Sequence, residues 1–332
     1  MDIILKSYGF FIYKKGDRFI FEVKENGEVK KVEISASKVK RIILGKDGTI
    51  TTSAINLAIE YNIPIIFLKN EDPTAMIWHC KLGKTGKIRR NQIKFSDTIE
   101  GMKYASKWIE RKMKNQIDFL KELKKNHGKK GDFNKIIDNI KECIDDLNRY
   151  LNNTKENLGT VRDTIIGIEG TASKYYFKGI NLALPEKYKF SERSRRPAKD
   201  RFNALLNYGY GMLYPVVEKA CIVSGLDPYI GFIHSDGYNK RSLVYDIIEI
   251  YRIYVDKGVV SFINKKKVKD EFFIKLHNGV ALSDTGIKEF AAFINEYIFD
   301  KELEIYKKRY KFPDAIQKEC YKIANDIRER YL

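Results

Sequence analysis

Short apolar runs separated by turn signals fill the first quarter of the chain. Residues 3–5, 10–13, 19–23, 29–34 and 42–44 are rich in β-branched and aromatic side chains, and Lys15-Gly16-Asp17 and Glu25-Asn26-Gly27 break them apart. This is the pattern of short strands joined by tight turns. Residues 18–23 alternate polar and apolar positions, as a half-buried antiparallel strand does. One helix interrupts the strands: Thr52 or Ser53 can cap residues 54–61, and 63–68 then resumes as a buried strand. After about residue 90 the period changes to 3.6. Helices are predicted over 96–126 and 135–157, broken by His127-Gly128-Lys129-Lys130-Gly131, and then over 160–183, 197–224, 242–256 and 284–330. The fold class expected is α+β: a small N-terminal β-sandwich-like domain over 1–80, a linker over 81–95, and a larger all-α catalytic domain over 96–332. The Gly- and Lys-rich stretch from Lys81 to Arg90 reads equally as a phosphate-contacting linker or as a solvated basic loop.

Composition sharpens this picture. The 332 residues are 43% hydrophobic and 32% charged, enough apolar matter for a core in each of two domains. The formal net charge is +18, with a pI near 9.4. Such an excess favours polyanionic partners through phosphate contacts and counterion release; the competing explanation is a Lys- and Glu-rich surface. No uninterrupted apolar run reaches membrane-spanning length, and the start, MDIILKSYGFF, lacks the layout of a secretory signal. Cys80, Cys143, Cys221 and Cys320 lie far apart with no CxxC pair. That argues against a zinc ribbon or a disulfide framework and leads us to expect a cytoplasmic protein without membrane contact.

Three stretches carry candidate chemistry. In the first, Glu169 sits between Gly167 and Gly170 inside an apolar helical segment. Interior glycine costs about 1 kcal/mol relative to Ala, so two of them around one carboxylate suggest close approach of a backbone or ligand; an exposed Glu beside a glycine-lined helix contact is the plainer alternative. In the second, His234 ends an apolar run before a Gly-containing loop, and Ser242 looks like the cap of a helix that is apolar on nearly every side yet carries Asp246 and Glu249. Buried carboxylates need a partner or a metal; Arg252 or Lys240 is the alternative to an ion. One imidazole with carboxylates and no thiolate suits Mn²⁺ or Mg²⁺ better than structural zinc. In the third, Arg193, Arg195, Arg196 and Lys199 precede a helix that Pro197 can start, and guanidinium forks favour phosphate oxygens. Asn203, Asn207 and Tyr210 fall at i, i+4 and i+7, on one polar face. His79, His127 and His277 have no acidic neighbours in sequence and read as structural or surface residues; Tyr175 and Tyr176 read as core.

Taken together, GIEGTASKYYF, RSRRPAKDRFNALLNYGY, GLDPYIGFIH and RSLVYDIIEIYR resemble, in order and spacing, the CRISPR-associated integrase, the first of the numbered Cas proteins ("Cas-one"). The likeness covers most of the chain, and a β domain followed by a helical domain matches that family's architecture. The resemblance implies a divalent-metal-dependent DNA endonuclease and integrase that inserts new spacers into a CRISPR array, a DNA 3′-hydroxyl attacking a phosphodiester at the repeat edge. It implies metal ligation by Glu169, His234 and Glu249, with Asp246 an acidic residue beside the site and His234 either ligand or proton donor. DNA phosphate contacts are expected from Arg193, Arg196, Lys199, Lys240 and Arg241. A homodimer formed through the β domain, joined to a small ferredoxin-like partner ("Cas-two"), is also implied. The rival functions are a non-catalytic basic DNA-binding scaffold and a nuclease of branched DNA or RNA outside spacer acquisition.

Overall fold

The alternating N-terminal runs form two four-stranded sheets. Strands β1 (Asp2–Leu5), β5 (Arg41–Leu44), β7 (Ile65–Lys69) and β8 (Asp72–Ile77) lie in the order β1-β5-β7-β8. Strands β2 (Phe10–Lys15), β3 (Arg18–Glu25), β4 (Glu28–Ser35) and β6 (Gly48–Ile50) lie in the order β4-β3-β2-β6. Side chains from both sheets, among them Phe10, Ile12, Phe19, Phe21, Ile42, Leu44 and Ile65, meet in one core. β3 pairs antiparallel with β2 and β4, as its alternation predicts, although Ile20 on its other face is buried too. Helix α1 (Thr52–Glu60) closes the core with Ala54, Leu57 and Ala58. Its cap is Thr51, whose hydroxyl accepts from the Ala54 N–H at 3.2 Å, one residue earlier than expected. The computed structural model describes residues 1–25, 28–69, 72–77, 86–125, 130–305 and 308–330. The chain divides into two units, Met1–Leu82 and Gly83–Leu332.

The second unit is built on helices α2 (Gly86–Ser96), α3 (Ile99–Lys125), α4 (Lys130–Asn153), α5 (Leu158–Ala183), α6 (Arg201–Val223), α7 (Ser242–Ile248), α8 (Arg252–Asn264), α9 (Asp284–Ile294) and α10 (Phe312–Glu329). It confirms the α+β class, with several local corrections. Residues 86–95 are not linker but helix: Asn91, Gln92 and Phe95 are buried on one face of α2, a periodicity that the Lys- and Arg-rich composition obscured. Residues 81–85 lie outside the described residues. Pro197 does not start a helix; it lies in the preceding loop, and α6 begins at Arg201, where the Asp200 carboxylate accepts from the Asn203 N–H at 2.8 Å. The single helix expected over 242–256 breaks at Glu249, where one helix ends and the next begins at Arg252. The helix expected over 284–330 is interrupted by a π-helical turn (Asn295–Phe299) and a hairpin of β11 (Glu302–Ile305) with β12 (Lys308–Lys311). A second hairpin pairs β9 (Phe273–Leu276) with β10 (Gly279–Leu282), so this unit is predominantly rather than wholly helical. His277 is exposed in the turn of that hairpin, Tyr176 is buried, and His79 and His127 lie outside the described residues. No helix among the described residues is long and apolar enough to cross a membrane.

Candidate active site

The site is assembled from α3, α5, the loop before α7, and the break between α7 and α8. α3 and α5 pack along their length, their buried stripes supplying Ala105, Ile109, Met113 and Leu120 on one side and Val161, Ile165, Ala172 and Tyr176 on the other. One member of α3's buried stripe is charged. Lys112 stands where the 105–109–112–116–120 spacing demands an inward side chain, and an ammonium there must be paired or it forces itself neutral. Its Nζ donates to Glu169 Oε1 of α5 and lies 2.6 Å from Glu249 Oε2 at the end of α7. Two of the three expected metal ligands therefore converge on one cation, which is the ammonium of Lys112.

The helix breaks at Glu249, and α3 reaches across to the break: the Asn115 amide donates to the Ile250 carbonyl at 3.2 Å, satisfying an acceptor that the broken helix leaves open. Arg252, at the start of α8, binds the other oxygen of Glu249 at 2.6 Å and donates to the Tyr214 hydroxyl at 3.1 Å. Glu249 Oε2 is buried and has no hydrogen-bond partner among the described residues beyond its ion pair with Lys112. Burial opposes ionisation of Glu169, but the neighbouring Lys112 ammonium, its hydrogen bond and that of Ser173 outweigh it and hold the carboxyl down to about 2. Burial likewise disfavours the charged form of Lys112, and Glu249 and Glu169 reverse the balance and push it up.

His234 is positioned by a different device. The Asp246 carboxylate, fully buried, accepts from the backbone N–H groups of Phe232 at 2.6 Å, Ile233 at 3.2 Å and His234 at 2.9 Å, and from His234 Nδ1 at 2.7 Å. With Nδ1 donating, the lone pair of the neutral ring lies at Nε2. Gly231 lets the loop fold this tightly: a Cβ there would sit 2.5 Å from the His234 carbonyl oxygen and 2.6 Å from Ser242 Cβ. Phe232 is buried among Phe95, Tyr104 and Trp108, and α2 fixes the loop's base. Gln92 donates to the carbonyls of Asp227 and Ile230 at 2.9 and 2.8 Å and accepts from the Asp227 N–H at 2.9 Å. Ser242 does not cap α7 through its side chain; its hydroxyl donates to the Ser235 carbonyl at 2.9 Å. The His234 ring packs edge-on to Tyr245, Tyr245 to Tyr214, and Tyr214 receives Arg252, so the histidine and the carboxylates share one continuous set of contacts.

The expected basic contacts divide by environment. Arg193 turns inward: it donates to Asn203 at 2.7 Å and Asn207 at 2.6 Å and lies over the Tyr210 ring at 5.6 Å. The i, i+4, i+7 face of α6 is therefore a seat for this arginine rather than a surface for DNA, and it leaves the guanidinium committed. Arg241 is held by Glu218 at 2.8 Å, Lys240 reaches Ser235 at 3.3 Å, and Lys199 donates to the Asn278 carbonyl at 3.1 Å. Arg195 and Arg196 are exposed. Gly167 and Gly170 do not answer to packing against the described residues either, because among these a Cβ at either would meet nothing within 4 Å.

Lys112 was missed because α3 is rich in surface lysines; its place on the apolar stripe was the signal that sets it apart. Arg252, one of the two candidate carboxylate partners, pairs with Glu249, while Asp246 is held by backbone N–H groups and His234. Among the described residues no three of His, Cys, Asp or Glu lie together closely enough to hold one metal ion. The carboxylate pair fits a hard divalent cation, since its oxygens already face one shared positive charge; His234 does not complete that group in this arrangement.

Residues 3–296 match the family model described as CRISPR associated protein Cas1. A CRISPR-associated endonuclease Cas1 of Archaeoglobus fulgidus is 31% identical over 305 residues, covering 88% of this chain and 87% of its own length. Among solved structures, a Cas1 protein from Thermotoga maritima superposes with a TM-score of 0.76 at 21% identity, covering 100% of this chain and 98% of that one. A casposase bound to integration product superposes at 0.80 with 23% identity, covering 99% and 91%; both share the fold. Motifs, architecture and the family match agree, and the chain belongs to the Cas1 family of CRISPR-associated proteins.

Proposed function

We propose that this protein is a divalent-metal-dependent DNA endonuclease and integrase that inserts new spacers into a CRISPR array. The observation that carries the proposal is the convergence of Glu169 and Glu249, from separate helices, on a single buried cation position beside an open glycine-lined stretch of α5. Glu169 and Glu249 would hold Mn²⁺ or Mg²⁺, with His234 as the third donor. Such an ion, when bound, offsets charge developing on a phosphodiester and activates an oxygen nucleophile. The protein's own groups prepare the rest. Arg252 holds one oxygen of Glu249 at 2.6 Å and so orients the carboxylate, and Asp246 fixes the His234 ring so that Nε2 is presented either to the ion or to a reacting oxygen, as acceptor or, once protonated, as donor to the leaving 3′-oxygen. The absence of side chains at Gly167 and Gly170 lets a phosphodiester backbone approach α5 beside Glu169. The excess positive charge supplies sequence-independent attraction for DNA.

The family resemblance and the relatives' names support CRISPR-repeat DNA as substrate and, by implication, a homodimer working with the small ferredoxin-like partner. The test is strand joining on a half-site integration intermediate in Mn²⁺. Glu169→Gln is expected to lower joining by roughly 10²-fold or more while duplex affinity stays near that of the wild type. Joining that survives the substitution would reject this site and leave the scaffold reading; cleavage of linear RNA in preference to the half-site would move the activity outside spacer acquisition.

A further inference from the structure

We propose that Lys112 is a built-in counterion of the metal-free site, whose ammonium holds the seat between Glu169 and Glu249 and must leave it before a divalent ion can enter. The inference rests on the metal reading above. Lys112 Nζ contacts both carboxylates, on Oε1 of Glu169 and 2.6 Å from Oε2 of Glu249. These are the oxygens that face each other across the gap: the second oxygen of Glu249 is taken by Arg252 at 2.6 Å. A metal bridging the two carboxylates would need the oxygens that the lysine now uses.

Charge makes the two occupants exclusive. Among the four directly paired groups, Lys112 and Arg252 carry two positive charges and Glu169 and Glu249 two negative ones, so these four balance as they stand. Adding a divalent ion while Lys112 stays would leave two uncompensated positive charges in a largely buried site, which low local polarisability makes prohibitive. Exchanging the ammonium for the ion leaves one, which a phosphate can offset. Lysine suits exchange better than arginine: its charge is a compact point on a flexible four-carbon stem, whereas Arg252 is fixed by a planar fork between Glu249 and Tyr214. The way out lies on the Glu169 side, where that side chain is 22% exposed against 4% for Glu249.

The consequence is competition. When the binding-competent arrangement is populated only in the fraction of molecules whose Lys112 has left, apparent metal affinity falls by that fraction. Lys112→Met keeps the length and apolar stem and removes the competitor. Mn²⁺ binding by calorimetry and by the electron paramagnetic resonance of the free ion should tighten about tenfold or more in this variant, and the metal-free variant should melt at a lower temperature than wild type and recover on adding Mn²⁺. Equal or weaker Mn²⁺ affinity in Lys112→Met, with Glu169→Gln abolishing binding, would overturn the counterion proposal while leaving the metal site intact. Wild type and Glu169→Gln binding Mn²⁺ alike would overturn the metal reading and this proposal with it. A measurement on unsubstituted protein guards against misfolding: acylation of lysine amines followed by peptide mapping. Lys112 should be protected without metal and modified when Mn²⁺ saturates the protein; protection unchanged by Mn²⁺ would overturn the proposal.

Discussion

Asp246 and Glu249 sit one helical turn apart and do different work because they meet different neighbours. Asp246 points into a loop that offers three backbone N–H groups and an imidazole; Glu249 stands at a helix break beside two cations. Removing the Asp246 carboxylate would strand several buried donors, each costing about 1–3 kcal/mol when left unpaired. Asp246→Ala is therefore expected to lower unfolding free energy by about 3 kcal/mol or more, read from urea unfolding, in addition to any loss of activity; a change under 1 kcal/mol would mean that the loop re-pairs elsewhere. Asp256 makes a contrasting case. It is buried and accepts from Tyr176 at 2.8 Å and Tyr210 at 2.6 Å, yet burial outweighs these bonds and pushes its carboxyl above the ordinary 3.8. An acid with a raised folded value ionises more readily in the unfolded chain. Its ionised form is a net cost to the fold that is fully present above the folded value and relieved as pH falls through it toward 3.8. Asp256→Asn removes this dependence. Its stability relative to wild type should be most favourable at pH 7 and decline as pH falls toward 4; the opposite trend would show that the tyrosine hydroxyls more than compensate burial.

At the scale of elements, the glycines separate packing from approach. Gly209 of α6 faces α8 so closely that a Cβ would sit 2.5 Å from Val255 Cγ1, and Gly101 of α3 would place one 1.9 Å from the Phe95 carbonyl oxygen. Gly167 and Gly170 of α5 face open space among the described residues. Alanine at Gly167 or Gly170 should stabilise the fold by about 0.5–1 kcal/mol each, whereas Gly101→Ala and Gly209→Ala should destabilise it, all measured by thermal unfolding of the metal-free protein. A loss of stability at Gly167 or Gly170 would contradict the open surface on which the proposed DNA approach depends. These helices also show what the sequence made legible. Periodicity located α3, α4 and α5 because each buries a continuous stripe, and the short apolar runs located most N-terminal strands. The break at Glu249 was hidden, since the run from Leu243 to Tyr251 is apolar or aromatic at every position but Asp246 and Glu249 and holds no Gly or Pro, and the side chain that meets the carbonyl left open there, Asn115, lies 135 residues away from Ile250. α2 was hidden by its charges, and the hairpins after α8 and α9 by runs of four residues, too short to display a period. The site residues Glu169, His234, Asp246 and Glu249 could be named from local motifs, but their pairings could not, because each partner comes from another element.

Across the whole molecule the charge is unevenly divided. Residues 1–82 carry 13 Lys and Arg against 10 Asp and Glu, so +15 of the net +18 belongs to residues 83–332. Under the proposed function, electrostatic attraction for DNA would therefore reside chiefly in the unit that carries the candidate site. If phosphate contacts supply it, the logarithm of duplex affinity should fall linearly with the logarithm of salt concentration, losing about 0.9 in slope for each phosphate contact removed. The loop before α6 offers an internal comparison. Arg195 and Arg196 are exposed, whereas Arg193, two residues away from Arg195, is tied to Asn203 and Asn207 and covers Tyr210. Arg195→Ala and Arg196→Ala should each reduce the salt slope by about one with little change in melting temperature. Arg193→Ala should lower the melting temperature, since it removes the guanidinium donor to the Asn207 amide oxygen and one of the two donors to that of Asn203, which keeps the Ser194 N–H, and should leave the slope near that of the wild type. If all three substitutions reduced the slope equally, the guanidinium of Arg193 would have to leave its seat to meet DNA. A slope unaffected by any of them would place the phosphate track on another face of residues 83–332.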